Sequence, residues 1–460
     1  MNKKNVRSYL FRVCVIAALG GLLFGLDQGF INGSLDFIKK EFHWTTLQGE
    51  TYASIMLYGC VFGAILSSWI ARKIGRKRTL IFAAFVFTSC TLWGSLTHQV
   101  SILYGVRFLI GIAVGCASFC VPLYLSEIAP TKYRGGFIAM YQLMITIGIF
   151  AIYVSNSAIA EMFHSWRLML GVIALPSLVM LIGVQWIPKT PRWLMLAGRQ
   201  HQAQTVLATV RETQAEQQEE FSNIQATIAG KLQASLWDTV TKGFFVRVLL
   251  LGIFLQLLQQ LSGINCVIYY SGTIFKQAGF ANPAVGTIVI GLVNMLTTIV
   301  AVRYVDKWGR KPILYFGLAV MVITLVLIGV IFTVKDIGHT ITPFEEILLL
   351  AGTIIYIIAF AVSLGPIIWV ICAEIFPLAA RDFGVMATTV TNWIGAALVV
   401  QFSMSIMDSW GGSTLFFLFA GFCLLGFILI GAFTPETKGV SLEALEQNLR
   451  QGKKLRHLGV

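Results

Sequence analysis

Twelve runs of mostly apolar residues divide this chain from end to end, and no other feature restricts its fold so strongly. A spanning helix needs roughly 20 such residues. Candidates lie at about 11–33, 48–70, 79–97, 101–123, 137–158, 167–187, 245–272, 284–304, 312–334, 346–371, 382–405 and 413–433. Only 12% of the 460 residues are charged, against roughly 25% in a soluble domain, so water cannot be the solvent for most of the surface. An all-α membrane protein of two six-helix bundles is the expected fold.

The net charge is +13. In a soluble chain that would suggest nucleic acid. Here placement matters more than the sum, because membrane proteins keep Lys and Arg on the cytoplasmic side. With both termini inside, 28 of the 34 Lys and Arg fall on that side and five on the other, with Arg107 within the fourth run. This asymmetry supports an even number of spans, cytoplasmic termini and a cell-membrane location, with the bilayer as partner and no nucleic acid. The basic start (Lys3, Lys4, Arg7, Arg12) precedes an apolar run interrupted by Asp27, which reads as a retained first helix rather than a cleaved signal. The eight cysteines lie almost entirely in apolar runs with no CxxC pair, so small buried hydrophobes are expected rather than disulfides.

The stretch 188–244 is rich in Gln, Glu and Ala and reads as short helices at the cytoplasmic face, docked by Val206, Leu207, Val210 and Ile224. It separates a bundle at 1–187 from one at 245–433, followed by a tail at 434–460. The two bundles read as copies. IGRKR follows the second run and WGRKP the eighth; SEIAPTKYRG follows the fourth and AEIFPLAARDFG the tenth. Two motifs in register are hard to obtain by chance, and internal repeats mark secondary transporters, whose substrate site lies near the bilayer midplane. The paired types Glu127 with Arg134 and Glu374 with Arg381, beside the GRK turns of Arg76 and of Asp306 and Arg310, suggest ion pairs of a gate. Simple positive-inside anchoring suffices for Lys77, Arg78 and Lys311.

Polar groups inside apolar helices are costly and usually functional. Asp27 and Arg107 are the obvious full charges there. Burial makes a carboxylate hold its proton, and a nearby cation releases it. Gln142, Gln259, Gln260, Asn265, Asn294 and Asn392 are amides in apolar runs, able both to donate and to accept toward a polar solute. Trp369 and Trp393 offer faces for stacking. Interhelical hydrogen bonding is an equal explanation for any one amide. Ser262-Gly263 is expected to break a helix beside the QQ pair, and Gly365-Pro366 to form a hinge; Gly111 and Gly115 read as close packing.

The motifs become specific when taken together: RFLIGIAVG with PLYLSEIAPTKYRG, TPRWL, QQLSGIN, YYS, DKWGRK, GPIIWVICAEIFP and PETKG. In this order, along almost the whole chain, they resemble the sugar porter family of the major facilitator superfamily. LLFGLDQGFINGSL and MYQLMITIG are most similar to bacterial proton-coupled symporters of the galactose and xylose type. The resemblance implies that Asp27 carries the proton and Arg107 tunes it. It implies sugar contacts at Gln142, Gln259, Gln260, Asn265, Asn294 and Trp369, closing aromatics at Phe24 and Tyr270, and Trp393 at the cavity. Ile149 replaces a second Gln of the xylose type, whereas Asn392 and Tyr269 look like hexose carriers, so glucose or galactose is favoured. Arg72 departs from the family's usual Asn or Asp in the first GRK loop.

No HExxH, GxSxG or GxxxxGK[ST] occurs, so no enzyme, ATP-driven pump or cofactor is expected beyond a proton as coupling ion. A sensor would need a signalling extension, whereas only 27 residues follow Phe433. The expectation is therefore a monomeric secondary transporter for a monosaccharide and a proton, with facilitative uniport as the nearest alternative.

Overall fold

The computed structural model describes residues 3–130, 134–231, 239–377, 380–438, 440 and 442–459, with backbone alone for 3–4, 134, 227–231, 302–308 and 442–444. Among the described residues there is no strand, and twelve helices are long and apolar enough to cross a membrane. In chain order the spans are Asn5–Phe42, Thr46–Ile74, Arg76–Leu96, Val100–Ile128, Gly135–Phe163, Trp166–Gly183, Gly243–Gln277, Pro283–Ala301, Arg310–Asp336, Pro343–Glu374, Arg381–Trp410 and Gly412–Phe433. Number and order are those the apolar runs predict.

The helices overrun those runs. Span 1 was expected to end near residue 33 but continues to Phe42, because DFIKKEF contains nothing that breaks a helix. It stops where His43 takes a φ of 53° and Trp44 N returns to Lys39 O at 3.0 Å. Such a left-handed residue closes many helices. His164, at φ 50°, follows span 5 in the same conformation.

Spans 7 and 10 are each two helices. Span 7 breaks between Leu261 and Ile264 at Gly263, whose φ of 91° suits glycine. Span 10 breaks at Ser363, two residues before the expected hinge at Gly365. Pro366 explains the offset: it cannot donate to the preceding turn, yet it is tolerated in the first turn of the new helix Leu364–Glu374.

Two compact units emerge. The first comprises Met1–Asp27, Tyr58–Gly148 and Arg167–Asp238; the second comprises Gln28–Leu57, Ile149–Trp166 and Thr239–Val460. Spans 1, 2 and 5 therefore divide along their length: their distal parts group with the spans of the second bundle. In the first unit, spans 2 and 4 meet through glycines. A methyl on Gly59 would strike the Phe108 carbonyl, one on Gly63 the Ile112 carbonyl, and one on Gly115 the Cys60 carbonyl. Small residues allow such backbone contact between membrane helices, and here they seat the helix that carries Arg107.

The linker forms helices Pro191–Leu196, Gln200–Val210 and Gln214–Lys231. Leu207 and Val210 are buried, while Val206 and Ile224 pack against Trp193, Leu194, Met195 and Ala203. Arg211 ties it to span 4 by donating to Ile128 O at 2.8 Å. In the second unit, Glu436 of the tail accepts from the backbone N–H of Arg310 and of Lys311, both at 3.0 Å. A carboxylate there satisfies the open N–H groups at the start of span 9. Burial pushes the Glu436 carboxyl up, but these donors, the Lys438 N–H and the Arg310 charge outweigh it and hold it below its ordinary value. All eight cysteines are buried and unbridged.

Candidate functional site

The two GRK turns have the same backbone. Gly75 and Gly309 sit at φ 89°, ψ 157° and φ 87°, ψ 156°, a region open essentially to glycine. Each turn delivers a buried arginine to the glutamate that ends another span of its own bundle. Arg76 Nη2 lies 2.8 Å from Glu127 and Arg310 Nη2 lies 3.3 Å from Glu374. Arg381 donates to the Phe376 carbonyl at 3.3 Å. The acidic motif thus meets the GRK arginine, a pairing that the seven-residue Glu-to-Arg spacing does not reveal. The side chains of Arg134 and Asp306 lie outside the described residues.

Asp27 and Arg107 meet in the first unit. Arg107 Nη1 donates to Asp27 Oδ1, and both residues are fully buried. Asp27 Oδ2 is buried with no hydrogen-bond partner among the described atoms. Arginine keeps its charge at all accessible pH, so the carboxyl is the group of this pair that can change state. Gly148 seats the site: a methyl there would strike the Leu22 carbonyl and crowd Leu26 N, one residue before Asp27. Phe24, buried, and Gln142, half-buried, also belong to this unit.

In the second unit four expected amides form one buried network. Asn265 Nδ2 donates to Gln260 Oε1 at 2.6 Å, and Gln260 Nε2 to Asn392 Oδ1 at 3.1 Å. Asn392 Nδ2 reaches Gln259 Oε1 and Gln256 Oε1, each at 2.7 Å. Gln259 Nε2 reaches the Leu364 carbonyl at 2.8 Å, just past the break in span 10. The breaks in spans 7 and 10 therefore both border the network. A hydroxylated ligand can replace these amide–amide bonds one for one, since each amide donates and accepts.

The remaining expected residues lie apart from these hydrogen bonds. Trp393 is buried beside Asn392 in sequence, and Trp369 is half-buried on the second segment of span 10. Asn294 is buried on span 8, its carbonyl accepting from Thr298. Tyr270 is buried with its hydroxyl on the Val400 carbonyl at 2.8 Å, which fastens span 7 to span 11.

Three further amides were not singled out from sequence. Gln256 precedes Gln260 by four residues and so shares its helix face. Gln28 Nε2 donates to Asn265 Oδ1 at 3.2 Å, and Asn32 Nδ2 reaches Ser271 Oγ at 2.8 Å and the Ile268 carbonyl at 2.9 Å. Their signal was the pair of amides spaced four apart after Asp27 in DQGFIN. Glu50 was also missed, because a carboxylate near the start of an apolar run passes as a partner for the helix dipole. It is 1% exposed and accepts from Met404 N at 2.6 Å, Ser405 N at 2.9 Å and Ser405 Oγ. Thr51 and Ser54 hydrogen-bond Gln401, and Thr46 donates to Asp408 at 2.8 Å. Lys276 Nζ pairs with Asp36 at 2.6 Å. The distal parts of spans 1 and 2 are thus sewn to spans 7 and 11 by a polar seam within the second unit.

The profile of the family described as "Sugar (and other) transporter" matches residues 13–449. The galactose-proton symporter of Escherichia coli strain K12 is 42% identical over 458 residues, covering 98% of this chain and 97% of that protein. The arabinose-proton symporter of the same strain is 38% identical over 452 residues, covering 97% and 95%. A solved structure of the E. coli proton:xylose symporter XylE, of the major facilitator superfamily, bound to 6-bromo-6-deoxy-D-glucose, superposes with a TM-score of 0.80 at 28% identity, covering 98% of each chain. A multi-pass membrane protein with this motif order, this fold and these relatives over its full length is a member of the sugar transporter family of the major facilitator superfamily.

Proposed function

We propose that the chain carries a hexose, galactose or glucose, together with a proton across the cell membrane by alternating access, as a monomer with both termini cytoplasmic. The observation that carries this reading is the buried Asp27–Arg107 pair in the same chain as a buried network of amides. Asp27 takes up and releases the proton, with Arg107 stabilising the charged form. The network of Gln259, Gln260, Asn265 and Asn392 receives the sugar hydroxyls in the second unit, to which Asn294, Trp369 and Trp393 also belong; Gln142 and Phe24 are the sugar-contact candidates of the first unit. The relatives named for galactose and arabinose, both proton symporters, support the coupling ion and the monosaccharide class. The place of Asn392 at the centre of the network, and Ile149 rather than an amide on span 5, support a hexose over xylose.

The seam between Glu50, Asn32, Asp36 and spans 7 and 11 serves in this reading as the gate on the outer side. The Arg76–Glu127 and Arg310–Glu374 pairs serve as the inner one. Labelled hexoses and pentoses offered to proteoliposomes, with and without an imposed pH gradient, test the proposal. Gradient-driven accumulation of galactose or glucose is the expected result. Uptake that ignores the gradient would leave a uniporter, and uptake restricted to pentoses would overturn the substrate.

A further inference from the structure

Span 1 belongs to an unbroken helix, Lys3–Phe42, yet the boundary between the two units passes through it at the peptide joining Asp27 to Gln28. Consecutive residues on a helix point about 100° apart. Those two side chains accordingly address different neighbours. Asp27 takes Arg107 on span 4, while Gln28 donates to Asn265 on the second segment of span 7. Gln28 is 4% exposed and Asn265 6%, so neither is turned to water. Asn265 passes the contact on to Gln260 and Gln260 to Asn392. Asn32, one turn further along, holds the same segment of span 7 through Ser271 and the Ile268 carbonyl.

We propose that Gln28 is a positioning residue that couples the charge state of Asp27 to the affinity of the sugar site. The inference rests on the reading of the amide network as that site. A proton on Asp27 weakens its hold on Arg107 and changes the seat of the helix at that turn. Gln28 is rigidly attached one residue along, so it moves with that turn. Its bond to Asn265 is already 3.2 Å long, and hydrogen bonds weaken steeply with distance and angle. A displacement well under a helical turn therefore frees or fixes the Asn265 amide. Asn265 then presents a different set of donors and acceptors to the sugar, and Gln260 follows. No other described side chain of span 1 adjoining Asp27 in sequence bonds into this network.

The test uses the full-length protein in proteoliposomes with D-galactose as the probe, measuring KM and maximal rate from pH 5.5 to 8. Gln28→Met keeps the length and removes the amide; Gln28→Asn keeps the amide and removes the reach. Both variants are expected to raise KM by about five- to tenfold, the value of one buried hydrogen bond. Both are also expected to flatten the pH dependence of KM, with a smaller change in maximal rate. The Asn variant serves if the Met variant does not fold. A wild-type KM and pH profile in the variants would overturn the inference. A raised KM with an unchanged pH profile would do so as well, since a purely structural contact gives that result. Asn265→Ala and Gln260→Ala separate the two layers of argument. If they raise KM while the Gln28 variants do not, the coupling role alone falls; if they leave KM unchanged, the sugar-site reading falls and takes the coupling role with it.

Discussion

The Asp27–Arg107 pair and the amide network are both buried and both polar, yet they are made of opposite materials. The first holds two full charges with no intervening amide, in the unit that contains the first part of span 1. The second links Gln28, Asn265, Gln260, Asn392, Gln259 and Gln256 with no charge among them. A buried charge responds to a proton because gaining or losing one changes its energy by several kcal/mol. Amides are indifferent to pH but match hydroxyls in number and direction. In the function proposed above, the charged pair serves the proton and the amide network serves the sugar.

This contrast can be broken in order of expected severity. Asp27→Asn is expected to abolish uphill accumulation while sugar exchange down a gradient persists, read as accumulation ratio and counterflow in the same vesicles. Intact accumulation would remove the proton from this site. Asn392→Ala leaves the partners on Gln259, Gln256 and Gln260 short of a bond, which costs roughly 1–3 kcal/mol. Galactose KM should accordingly rise by about tenfold or more with the response to a pH gradient retained; a loss of gradient response instead would mean that the two sites are not separable in the way described.

Glu50 sharpens the comparison from a third place, since it is a buried carboxylate held by backbone N–H groups rather than by a cation. Glu50→Ala should lower thermal stability in detergent by about 1–3 kcal/mol, with Glu50→Gln between it and wild type. Equal melting of all three would show that the seam contributes nothing. The smallest effect is expected at Glu436. Its carboxyl titrates below its ordinary value of 4.5, so its contribution is complete above that pH and is lost as the pH falls through the lower folded value. Glu436→Gln should therefore be less stable than wild type at pH 7 by roughly 0.5 kcal/mol or less, given solvent screening, with the gap closing as the pH falls below 4.5. A gap that widens on acidification would contradict the sign.

Much of this was legible before any coordinates. The Ser262-Gly263 break was predictable because a left-handed position selects glycine, and the amides of QQLSGIN stood out because an apolar run makes each polar residue conspicuous. Glu50, Gln28 and Asn32 did not stand out. Their importance lies in partners 355, 237 and 239 residues away along the chain, and local pattern carries no record of those. The same limit applies to Arg76, whose partner Glu127 lies 51 residues away along the chain.

Hydropathy, charge placement and repeated motifs were thus enough for the solvent, the number of spans, the two-bundle plan and the family, because the bilayer imposes those constraints locally on each segment. Which half of span 1 belongs to which unit, and that the dividing peptide lies between Asp27 and Gln28, depends on packing between segments far apart in the chain. Burial there favours pairing of polar groups, and which partner each one meets is decided in three dimensions.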